Sequence, residues 1–91
     1  MAEEVLFETE TTEERASIAE SLRSVAEKLE AGEPITLAAG GESITLDVPP
    51  QATFEVKAER ETGSGPDEFS VEFEIEWDEG DSETDGSLSI E

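Results

Sequence analysis

From residue 68 to residue 77 the chain alternates between polar and apolar side chains. Phe69, Val71, Phe73, Ile75 and Trp77 are apolar, and Ser70, Glu72, Glu74 and Glu76 stand between them. A period of two is the pattern of a β-strand with one face buried and one face wet. On a helix the same positions would be spread around the axis. A second run has the same period: Ala52, Phe54, Val56 and Ala58 alternate with Thr53, Glu55, Lys57 and Glu59. The segment 61–67, with Gly63, Gly65 and Pro66, returns the chain from one run to the other. Setting Ala58 opposite Val71 brings Val56 to Phe73 and Phe54 to Ile75. It also sets Lys57 across from Glu72, which predicts a favourable cross-strand pair.

A shorter hairpin precedes this one. Residues 35–39 and 42–48 flank Gly40-Gly41, a pair able to take the positive φ angles of a tight turn. Ala39 then faces Glu42, Leu37 faces Ile44 and Ile35 faces Leu46, while Thr36 and Thr45 pair on the other side. A slip of one residue would break that match, so the pattern specifies the register. Pro49-Pro50 ends the second of these strands.

Upstream, the spacing predicts a helix to about Ala31. Ile18, Leu22, Val25 and Leu29 form an apolar stripe, with Ala19 and Ala26 beside it. Thr11 and Glu14 have the spacing of a capping box, and Glu13 and Glu14 suit the positive end of the helix dipole. Glu20–Arg23 and Arg23–Glu27 are spaced for intrahelical ion pairs. Gly32 closes the helix and Pro34 blocks its continuation. Residues 5–8 begin with three consecutive apolars, Val5, Leu6 and Phe7, and predict a short first strand. It either joins the second strand in parallel or lies beside the last.

The sum is an α+β domain: a five-stranded, mostly antiparallel sheet in the order β-α-β-β-β-β, with one amphipathic helix on one face. Residues 1–79 make the domain. Residues 80–91 are acidic and rich in Gly, Ser and Thr, and are expected to be a flexible tail. Leu88 and Ile90 alternate with serines there, the one hint of a further strand.

Composition changes the picture in one respect. The 91 residues carry 26 acidic and 5 basic side chains, a formal charge of −21. Self-repulsion at that charge opposes the compact state. At ~1 M salt the Debye length falls to ~3 Å and the repulsion is largely screened. The chain is therefore expected to be a halophilic, cytoplasmic protein. An acidic surface disfavours nucleic acid and anionic lipid as partners. Met1-Ala2-Glu3-Glu4 has no signal-peptide character, and no stretch approaches the ~20 apolar residues of a membrane span. There is no Cys and no His, so thiolate chemistry and the commonest general base and metal ligand are missing.

The order of helix, Gly40-Gly41-Glu42-Ser43 hairpin, Pro49-Pro50 turn and Phe69-to-Trp77 strand followed by Asp78 resembles the amphi-Trp domain family. That family takes its name from an amphipathic strand closing on a tryptophan. The resemblance covers about residues 3–78. It implies a small archaeal or bacterial domain, often haloarchaeal, and supplies no catalytic residues and no cofactor.

Three candidates remain for chemistry. Asp81, Glu83 and Asp85 stand at positions 1, 3 and 5 of a loop like that of an EF-hand, with Gly86 at position 6 and Glu91 at position 11. Oxygens so spaced converge on a hard cation such as Ca²⁺ or Mg²⁺. Glu83 replaces the usual shorter residue, position 12 lies past Glu91, and no helix pair flanks the loop. The row Glu72, Glu74 and Glu76, with Glu55 and Glu59 on the next strand, is either a solvated face or a cation-binding or acid–base surface. Trp77, the only tryptophan, either caps the core or anchors a protein partner, since Trp is enriched at binding hot spots. Arg15 and Arg60 are expected to pair with neighbouring Glu. The leading expectation is a non-enzymatic protein-interaction or accessory module, acting on a protein partner or as a homodimer. The alternatives are a weak divalent-cation binder through the acidic tail and a small carboxylate-based, metal-dependent enzyme.

Overall fold

The computed structural model describes residues 2–80, and the chain divides into two compact units between Val48 and Pro49. The C-terminal loop predicted to hold a cation lies outside the described residues. The class is α+β: helix α1 (Arg15–Ala31), then strands β1 (Ile35–Ala39), β2 (Glu42–Leu46), β3 (Thr53–Glu61) and β4 (Glu68–Glu76).

The four strands form two separate antiparallel hairpins, β1–β2 and β3–β4, where the alternation predicts five strands in one sheet. Two features account for the difference. After β2 the chain meets Pro49 and Pro50, which have no N–H to donate and hold their neighbours extended, so the ladder stops. Residues 5–8 are not a strand. Val5 and Leu6 are exposed there, with Phe7 half-buried, and three consecutive apolars do not specify which face should turn inward.

In the first unit, α1 meets β1. Ile35 is the buried residue of this packing, and Leu37, Ala39, Ile44 and Leu46 on the same hairpin face are half-buried. On the opposite face the Thr36 and Thr45 hydroxyls share a hydrogen bond of 2.9 Å. The register is the one expected from sequence, Ile35 opposite Leu46 and Ala39 opposite Glu42. Gly40 and Gly41 both have positive φ, 57° and 86°, as a type I′ turn requires. On the helix only Val25 is half-buried, whereas Ile18, Leu22 and Leu29 of the same stripe are 39–52% exposed.

The helix ends differ in quality. At its C-terminus Gly32 is left-handed, its N–H donates to the Leu29 carbonyl, and the Glu33 N–H donates to that of Lys28. This is a Schellman closure, reinforced by an ion pair of 3.2 Å between the Lys28 Nζ and the Glu33 carboxylate. At its N-terminus the expected capping box does not form. The helix begins at Arg15 with Glu14 at the cap, and no side chain caps it. Thr11 is then too far upstream to reach the orphan N–H groups, and its hydroxyl donates instead to the Glu13 carboxylate at 2.7 Å.

The second unit is built on β3–β4. Its nine-residue strands pair along their whole length, from Thr53 opposite Glu76 to Glu61 opposite Glu68. The strands keep the register expected from sequence and carry it on to both ends of the hairpin.

Candidate interaction surface

The β3–β4 register decides which side chains share a face. Phe54, Val56, Ala58 and Arg60 of β3 lie opposite Ile75, Phe73, Val71 and Phe69 of β4. Period-two alternation puts all eight on one side of the hairpin. Thr53, Glu55, Lys57, Glu59 and Glu61 share the other side with Glu76, Glu74, Glu72, Ser70 and Glu68.

Among the described residues of this unit nothing packs on the apolar side. Phe54, Val56, Phe69, Val71 and Phe73 are between 55% and 68% exposed, and Ile75 is half-buried. A lone exposed apolar residue needs no explanation, but contiguous patches on small soluble proteins mark sites of association. Within this patch the rings of Phe54 and Phe73 stack with planes 8° apart and centroids at 6.3 Å. They are diagonal neighbours across the two strands, within reach of one another on a pleated surface. At one end of the face the Arg60 guanidinium lies over the Phe69 ring, 5.1 Å from its centroid, in a cation–π contact.

Trp77 stands at the opposite end, immediately after β4, and is half-buried. It lines an open recess with Gln51, Ala52, Thr53, Ile75, Glu76 and Asp78. The anchor expected from sequence is thus at the rim of the apolar face, and the aromatic weight of that face is carried by Phe54, Phe69 and Phe73. Arg60, expected from sequence to pair with a neighbouring Glu, lies over the Phe69 ring instead. Continuing the alternation past Ala58 by one pair places it on the apolar side, opposite Phe69 rather than a glutamate.

The polar side is open and acidic. Carboxylate oxygens of Glu55, Glu74 and Glu76 come within 4.8 Å of one another, and all three residues are exposed. Part of the expected row is therefore drawn together, but nothing encloses it. Lys57 stands opposite Glu72 in the ladder, yet its Nζ pairs with Glu59, two residues along the same strand, at 3.7 Å. On the helix, neither Glu20–Arg23 nor Arg23–Glu27 forms an ion pair, whereas Lys28 pairs with Glu33. Both expected helix pairs are on a solvated surface, where holding two long side chains together gains little.

The architecture is that of a small α+β protein carrying an amphipathic hairpin with a tryptophan at the end of its last strand. The chain belongs to the amphi-Trp domain family, which it matches over residues 1–91. The match includes the C-terminal stretch that the motif-level resemblance leaves out. Neither the curated proteins nor the solved structures contain a significant match. Among the described residues no helix is long and apolar enough to cross a membrane.

Proposed function

We propose that this amphi-Trp domain is a non-enzymatic protein-interaction module that docks through the apolar face of β3–β4. The observation behind the reading is the solvent exposure of Phe54, Val56, Phe69, Val71 and Phe73 on one side of one hairpin. Apolar surface on this scale gains ~25 cal/mol for every Å² removed from water, a driving force that salt does not screen. An interface built on it suits a chain of charge −21, whose electrostatic contacts would fade in the salt that its folding calls for. The setting is a halophilic cytoplasm, where molar salt screens the acidic surface and leaves apolar association in force. The carboxylates of the hairpin lie on an open face, without the enclosure that general acid–base work needs.

The test is capture on the immobilised full chain in molar KCl, comparing the native sequence with Phe73→Glu and Glu74→Gln. Proteins retained by the native chain and by Glu74→Gln, but lost with Phe73→Glu, are the expected result. Loss with Glu74→Gln and retention with Phe73→Glu would move the binding surface to the acidic face and end this reading.

A further inference from the structure

We draw no further inference here: the strongest candidate, the open recess beside Trp77 at the end of β3–β4, carries nothing because exposed acidic side chains, Glu76 and Asp78, supply its charge and no second observation points to a ligand.

Discussion

Phe54 and Phe73 stack almost parallel across the β3–β4 hairpin, with planes 8° apart and centroids at 6.3 Å, although neither residue is buried. The contact joins diagonal neighbours, so it reports the register directly: slipping either strand by one residue would send one ring to the acidic side. The pair should therefore couple in a double-mutant cycle. Phe54→Ala and Phe73→Ala should each destabilise the protein by less than the ~3–5 kcal/mol of a core phenylalanine. Their coupling energy is expected at about 0.5–1.5 kcal/mol, the range for an aromatic pair. Denaturant melts of the four proteins in molar KCl measure it, and strictly additive losses would mean the rings do not interact in solution.

The turn between β1 and β2 makes a separate prediction. A Cβ on Gly40 or Gly41 would meet nothing within 4 Å, so only the positive φ angles oppose substitution. Gly41→Ala should cost ~1–2 kcal/mol through left-handed backbone strain. Gly40→Asn should cost less, because Asn tolerates that region and suits a type I′ turn. Equal melting temperatures for the alanine and asparagine variants would contradict this expectation. Gly63→Ala, where φ is not in the left-handed region and no neighbour is near, serves as the neutral control.

These two hairpins show how much of the fold is legible from sequence. Both registers can be derived residue by residue, because each strand pairs a period-two pattern with a short or glycine-marked turn. The helix is legible as well, and Gly32 closes it as expected. Elements whose place depends on distant partners are not legible. Residues 5–8 have strand-like composition but no alternation to choose a face. The Thr11 cap is a local motif overridden when the helix starts at Arg15. The expected pair Lys57–Glu72 fails for a different reason. Register sets the two residues opposite one another, but a flexible ammonium on an acidic face has several carboxylates within reach, and Glu59 is the one it meets. The candidate surface is half visible: alternation identifies the apolar face, but it carries no information on whether that face meets a core or solvent.

Salt should stabilise the fold. The chain has a charge of −21, and carboxylates of Glu55, Glu74 and Glu76 lie within 4.8 Å of one another, so unscreened repulsion opposes folding. Salt also weakens the ion pairs Lys28–Glu33 and Lys57–Glu59, which favour the folded chain. Exposed pairs of this kind contribute only ~0–1 kcal/mol each, so relief of the repulsion outweighs their loss. The melting temperature should rise steadily from dilute buffer to molar KCl. Glu74→Gln, which removes one charge of the cluster, should mimic part of this effect at low salt and lose its advantage at high salt. At ~4–5 Å in water two unit charges interact by about 1 kcal/mol, which sets the scale of the gain. A melt insensitive to KCl would count against the halophilic reading.

A cation titration distinguishes an acidic surface from a binding site. Glu55, Glu74 and Glu76 offer three carboxylates on an exposed sheet face, where the strands supply no loop to close over them. Ca²⁺ needs about six to eight oxygens at ~2.3–2.6 Å, and three side chains on an open surface leave water to supply the rest. Their combined negative charge raises the local concentration of any cation, K⁺ included, without selecting one. In molar KCl, millimolar Ca²⁺ or Mg²⁺ should therefore produce small, unsaturated NMR shifts spread over the acidic face, with an apparent affinity no tighter than ~10⁻³ M. Glu74→Gln should reduce those shifts in proportion to the charge removed. Saturable shifts confined to residues 55, 74 and 76 and abolished by Glu74→Gln would instead establish a selective site on the hairpin. The same spectra read Asp81, Glu83, Asp85 and Glu91: selective, saturating shifts there would locate a cation site in the loop that the sequence pattern singles out.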